Sequence, residues 1–245
     1  MTMIFKALSA LLTYPTTELQ RAMGEIRETI EAADTIPARI RRQLHKLLTE
    51  LATGDLYDLQ ERYVLLFDRT RSLSLHLFEH VHGESRDRGQ AMIDLKNLYE
   101  QRGLQISAAE LPDFVPLFLE FLSTQPIAEA RELVAQAAHI FSALAERLRK
   151  RGSSYEAVFC ALTALALAKP NDEQVSALLQ QPDPDASDLA ALDAAWEDEP
   201  VSFGPSVGNA CNDGLIAKVR AGRRPAPGMP RVRPTRPILP TASER

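Results

Sequence analysis

Residues 63 to 89 gather the side chains best suited to chemistry. Three of the five histidines, His76, His80 and His82, fall within seven residues. Phe78, Glu79 and Glu84 lie among them, and Arg86, Asp87 and Arg88 follow at once. Imidazole titrates near neutral pH, ligates metals and trades protons. Aromatic rings, imidazoles and both signs of charge around the helix-breaking Gly83 exceed what ordinary helix packing demands.

Three chemistries fit such a cluster. On a helix, His76 and His80 would share one face at i, i+4. That pair could chelate zinc or nickel, with Glu79, His82 or Glu84 as third ligand. No cysteine pair backs the site, and the zinc-helix motif with a glutamate directly after its first histidine is absent, so metal-free surface or groove histidines fit as well. A hydrolase would use Ser74 or Ser85 with a histidine and an acid, but triad members converge through the fold rather than sit together on one helix. The chain has no phosphate-cradling loop and no dinucleotide fingerprint. It is therefore not read as an enzyme. The third chemistry is a peptide groove between helices. Phe67, Leu77 and Phe78 would supply apolar contact, Asp68, Glu79, Glu84 and Asp87 an acidic rim, and the histidines a dependence on pH. The plain alternative makes Phe67 and Phe78 core residues and the charges solvated.

The elements that must position these residues are helical. Apolar residues recur with a period near 3.6 almost throughout. Ile4, Phe5, Leu8, Leu11 and Leu12 make a first core helix rather than an export signal. Thr17-Glu18-Leu19-Gln20 has capping-box form and opens a second helix. Thr35 and Pro37 start a third, and Gly54-Asp55 breaks the chain before a fourth that carries Tyr63 and Phe67. A short helix from about Leu73 to Val81 follows, ended by Gly83. Ser85 is placed to cap the next, which Gly103 closes. Asp113 is expected to cap the apolar helix PLFLEFL, and residues 127 to 150 form a long amphipathic one. Ser153-Ser154-Tyr155-Glu156 opens a helix to about Ala168, Asn171 a shorter one, and a weak last helix spans 187 to 196. The expected fold is a single-domain all-α bundle of about nine to eleven helices over residues 1–200.

Composition agrees. The 245 residues include many Ala and Leu but only 6% aromatics, a balance that favours helices over strands. No apolar run is long enough to span a membrane. With two cysteines there is no disulfide framework, Cys160 reads as a buried inert thiol, and a cytoplasmic location is expected. Residues 201–245 are rich in Pro, Gly and Arg and are read as a disordered tail, unable to bury enough apolar surface to offset its ordering entropy. The tail is basic from Lys218 onward, while residues 155–200 are acidic. With no aromatic for base stacking from Lys218 onward, it reads as solvated rather than as a nucleic-acid arm.

The segment ERYVLLFDRTRSLSLHLFEHVHGESRDRGQAM, with ELPDFVPLFLEFL after it, resembles the nitrate reductase delta-subunit family. These are NarJ-type molybdenum-cofactor assembly chaperones, a branch of the TorD-like redox-enzyme maturation proteins. The resemblance covers roughly residues 1 to 200. It implies a cytoplasmic, all-helical chaperone that is neither an enzyme nor part of the mature complex. The implied client is the apo catalytic (alpha) subunit of a respiratory nitrate reductase, held by its N-terminal segment. The chaperone would keep it open for insertion of the molybdenum bis-guanine-dinucleotide cofactor and prevent premature membrane docking, binding no cofactor stably itself. Cofactor-biosynthesis proteins are further partners the resemblance leaves open; nucleic acid and membrane insertion are not implied. By position, residues 68 to 88 match the family's hinge between two helices, implicated in client binding. Tyr63, Phe67, His76, Phe78, His80 and His82 are then candidate contacts or groove shapers. Asp68, Glu79, Glu84 and Asp87 are candidate electrostatic partners, and Arg69, Arg86 and Arg88 candidate braces. Glu110, Pro112 and Asp113 match the superfamily's acidic-proline-aspartate motif. Phe114 stands where relatives usually carry histidine, so roles assigned to that histidine do not transfer. The reading that competes is a helical metal- or cofactor-binding protein using His76, His80 and His82.

Overall fold

The computed structural model describes residues 2–82, 86–106 and 110–184, with backbone alone for His82 and Arg86. Among these residues the chain forms ten α-helices and one short 3₁₀ turn. They are α1 (Met3–Leu11), α2 (Thr17–Glu31), α3 (Ala38–Thr53), α4 (Leu56–Phe67), the 3₁₀ turn (Arg71–Leu73), α5 (Leu77–His82), α6 (Arg86–Gln101), α7 (Val115–Ser123), α8 (Ile127–Lys150), α9 (Glu156–Leu165) and α10 (Asp172–Leu179). The all-α expectation holds. The last helix expected at 187–196 and the tail lie outside the described residues, as do Ser85 and Gly83.

Local signals explain several boundaries. The Thr16 hydroxyl, one residue ahead of the expected box, accepts the Leu19 N–H and caps α2. The Asp55 carboxylate caps α4 through Tyr57 and Asp58, and the Asn171 side chain caps α10 through Glu173 and Gln174. Gly103 ends α6 at φ +84°. There the Leu104 N–H reaches back to the Tyr99 carbonyl at 3.0 Å, a reach that needs a left-handed residue at the turn. α9 stops at Leu165 rather than Ala168.

α8 is the organising helix. It spans 24 residues as its pattern predicts and packs on α9 and α10. Leu133, Val134, Ala137, Phe141, Leu144 and Leu148 bury one face of it. α7 is buried nearly all round and lies on α1, while α2 pairs with α3. Ser9 ties α1 to α7 through the Pro116 carbonyl at 2.7 Å. The result is one continuous apolar core through which the 70–76 segment must thread.

Candidate functional site

The hinge is not the continuous helix expected from Leu73 to Val81. After the 3₁₀ turn, residues 74–76 run extended, and α5 begins only at Leu77. His76 pairs with Phe114 in an isolated antiparallel bridge. The Val115 N–H donates to the Leu75 carbonyl at 2.8 Å, and the Leu77 N–H to the Asp113 carbonyl at 3.0 Å. Thr70, Ser72 and Ser74 are buried, with Leu73 and Leu75 between them. An extended segment inside a helical protein has main-chain groups with no ladder to satisfy them, and leaving them unpaired is costly. The polar side chains around it answer that need.

Asp113 does this at the front. Its carboxylate, at 0% exposure, was expected to cap α7. Instead one oxygen accepts the Phe78 N–H at 3.1 Å and the other lies 3.1 Å from His76 Nδ1. Asp113 therefore caps α5 across 35 residues of sequence. α7 starts without a side-chain cap, with a proline in its first turn and its Val115 N–H on Leu75. The two helix starts satisfy each other. Tyr99 fixes the loop by donating to the Pro112 carbonyl at 2.8 Å, and burial, with the Asp113 charge, holds its phenol well above the ordinary range.

The histidines divide. His76 is half-buried, its ring 5.4 Å from that of Phe114 and tilted by 34°. Burial pulls its pKa down, but the hydrogen bond and charge of Asp113 and the charge of Glu79 outweigh burial and the opposing Arg88, so the net shift is upward. His80 is buried, and its Nε2–H donates to the Ser74 carbonyl at 2.8 Å. Burial is the main cause of its lowered pKa, with the Arg147 charge adding to it, so it is a neutral donor at pH 7. His76 precedes the helix that carries His80, so the expected i, i+4 chelating pair is not formed. No group of three or more metal-ligating side chains occurs among the described residues. The His82 side chain and Glu84 lie outside them.

Around this floor runs a charged rim. Glu79 and Arg88 pair at 3.0 Å, both half-buried. Burial pushes the Glu79 carboxyl up, but the Ser74 hydrogen bond and the Arg88 and His76 charges hold it below its usual range. Asp68, Arg69, Asp87, Glu110 and Leu111 are exposed, while Pro112 is buried. Partial burial raises the Asp68 carboxyl, against the pull of His76. Arg88, on α6, ties to α5 through this ion pair. The Arg86 side chain lies outside the described residues. Tyr63 and Phe67 sit elsewhere. The Tyr63 hydroxyl donates to the Leu12 carbonyl at 2.9 Å, and both rings pack against Tyr155. Phe78 is 1% exposed. These three, with His80, shape the interior rather than present a surface.

With this geometry in place, the profile of the family described as nitrate reductase delta subunit matches residues 17–161. The chain belongs to this family. It is 43% identical over 208 residues, 85% of this chain and 87% of the relative, to the nitrate reductase molybdenum cofactor assembly chaperone NarJ of Escherichia coli (strain K12). It is 39% identical over 213 residues to the probable assembly chaperone NarW of the same strain, with the same coverage of both chains. It is 33% identical over 160 residues, 65% of this chain and 86% of the relative, to the probable NarJ of Bacillus subtilis (strain 168). These relatives of the delta-subunit family are named as assembly chaperones, not as enzymes.

Sequence reasoning missed Arg147. It is 2% exposed, and its terminal nitrogens donate to the Ser72 carbonyl at 2.7 Å and the Leu178 carbonyl at 2.6 Å. The signal was there: position 147 falls on the apolar stripe of α8, three residues after Leu144 and one before Leu148. An arginine in that register must find acceptors inside. Roughly half a turn around α8 from it, an open groove of about 410 Å³ is lined by Ile40, Ser142, Glu146, Arg149, Glu156 and Cys160, among others. Cys160, expected to be buried, is half-buried in this lining; burial, then the Glu156 charge, pushes its thiol up to about 11.

Proposed function

We propose that this protein is the dedicated assembly chaperone of a respiratory nitrate reductase. It binds the N-terminal segment of the apo catalytic subunit and holds it open while the molybdenum bis-guanine-dinucleotide cofactor is inserted. It also delays docking of that subunit to its membrane anchor. It acts in the cytoplasm and catalyses no reaction. The observation that carries this is the match, over most of both chains, to a named nitrate reductase molybdenum cofactor assembly chaperone. The absence of any helix long and apolar enough to cross a membrane, among the described residues, is compatible with it.

The site we assign is the rim of the hinge. His76, Phe114, Leu111, Glu79, Arg88, Asp68 and Asp87 are its reachable residues, with Glu84, His82, Arg69, Arg86 and Glu110 as flanking candidates. Phe78 and His80 act from beneath, as shapers, while Tyr63 and Phe67 belong to the core away from it. An amphipathic, basic client segment suits a site that offers exposed Leu111, half-buried Phe114 and the carboxylates of Asp68, Glu79 and Asp87. Micromolar to nanomolar affinity needs about 8 to 12 kcal/mol net, within reach of a few aromatic anchors and desolvated charges.

Calorimetric titration with a synthetic peptide of the client's N-terminal segment tests this. Wild type should bind it saturably. The exposed-rim variant Asp68→Lys, Asp87→Lys, shown folded by circular dichroism, should bind at least about ten-fold more weakly, a difference of about 1.4 kcal/mol. Equal affinity would move the site off the hinge, and no binding by folded wild type would sink the peptide-holding role.

A further inference from the structure

The hinge is gripped from behind by the last part of the described chain. Arg147 joins the Ser72 carbonyl to the Leu178 carbonyl at the end of α10. Four residues on, and so on the same side of the helix, Arg151 reaches the same two places. Its Nη2 donates to the Asp183 carboxylate at 2.6 Å and to the Pro184 carbonyl at 3.2 Å, and lies 3.5 Å from the Ser72 hydroxyl. Ser72 in turn lies 3.2 Å from the Thr70 hydroxyl. Two guanidinium groups thus hold one hinge residue on one side and residues 178–184 on the other.

This grip is graded. At the inner end, Leu178 is 6% exposed and Arg147 is sealed in the core. At the outer end, the side chains of Arg151 and Asp183 are 22% and 29% exposed, and ion pairs that water can reach contribute little. The Arg151 Nη1 is buried and finds no acceptor among the described residues. A buried donor left unpaired favours opening, since water would satisfy it. The outer end is therefore the place where the grip lets go first.

We propose that residues 178–184 are a strap, latched by Arg151 to Asp183 and anchored by Arg147, that keeps the 70–76 segment, the 3₁₀ turn and the residues after it, in its buried place. Releasing the latch loosens that segment and, through Ser74 and His76, the floor of the client site. The strap is argued from contacts alone; its consequence for the client rests on the function proposed above.

Hydrogen–deuterium exchange on the full-length chain tests the strap without any client. Wild type, Asp183→Asn, Arg151→Gln and the double variant would be compared. Each single variant should speed exchange of the 70–76 amides by about three- to ten-fold while α1 and α7 keep their wild-type rates, because local opening is selective. The double variant should add little to either single one, because both remove the same latch. Unchanged exchange at 70–76 in both single variants would overturn the strap, as would a uniform rise across all helices. Titration with the client peptide reads the second link. Latch variants should bind several-fold more tightly, because the closed state no longer lowers apparent affinity. Faster exchange with unaltered affinity would overturn the coupling to the site. No peptide binding by wild type would overturn the client-site reading alone, and the exchange data would still decide the strap.

Discussion

The Tyr63 cluster and the hinge both place aromatic and polar groups in the interior, and they are built on different principles. Around Tyr63, the main chain is helix or helix end, so the side chains have mainly to fill space. Tyr155 meets Tyr63 and Phe67 edge to face at centroid separations of 6.4 and 5.2 Å, the Tyr63 and Phe67 rings are tilted at 5.0 Å, and one hydroxyl finds a carbonyl at Leu12. At the hinge, the backbone leaves helix geometry inside the core. Asp113, His80, Arg147 and Ser74 are there to satisfy it. Packing makes the first region stable. The second is held by directional contacts, fewer and individually breakable, which suits a place that must respond to a partner.

The largest effect should come from the packed region. Phe67→Ala removes a ring that is 4% exposed and should cost about 3–4 kcal/mol in urea unfolding. Client affinity of the folded fraction should stay within about two-fold of wild type, about 0.4 kcal/mol. A stable Phe67→Ala protein that has lost the client would erase the distinction between the two regions.

Asp113→Ala comes next. It strands the Phe78 N–H in the core and removes the His76 partner, for about 2–3 kcal/mol. Here the loss should be local as well as global. Amides at the start of α5 should lose protection before those of α8 do, seen by exchange at low denaturant. Asp113→Asn, which keeps one carbonyl acceptor, should recover about half of the loss. Equal loss in both variants would mean that the charge, rather than the cap, matters.

Helix spacing was legible because it follows from burial of one face: α8 runs over the residues its stripe marks out. Helix starts were legible at Asp55 and Asn171, where the capping group is local, but the box expected at Ser153 to Glu156 makes no side-chain cap to its helix. The role of Asp113 was not legible, since its acceptors serve a helix 35 residues earlier; no local rule looks that far. The hinge was misread for a different reason. Ser72, Leu73, Ser74 and Leu75 alternate with the period of a strand, yet the leucines alone also suit a helix, and the segment was assigned to its helical neighbours. The site's rim was read from composition, but exposure could not be. Tyr63, Phe67, Phe78 and His80 have side chains that serve a core or a groove equally well, and only the fold decides which way they face.

The two described hinge histidines give the finest test. His76 has a raised pKa in the fold, so its charged form is favoured there. The stability it adds is fully present below about pH 6.5, its unfolded value, and fades as pH rises through the raised value. His80 has a lowered pKa, so its neutral form is favoured. Its contribution is present above about pH 6.5 and is lost as pH falls through the lowered value. Each effect should be at most about 1 kcal/mol. Urea unfolding from pH 5 to 8 should therefore show His76→Gln flattening the alkaline side of the difference profile. His80→Gln, whose amide can still reach a carbonyl, should flatten the acid side. Two profiles of the same sign would mean that the imidazoles sit in one shared environment. Opposite signs would place a charged His76 on the rim and a neutral His80 in the floor, four residues apart and on opposite sides of the boundary between surface and core.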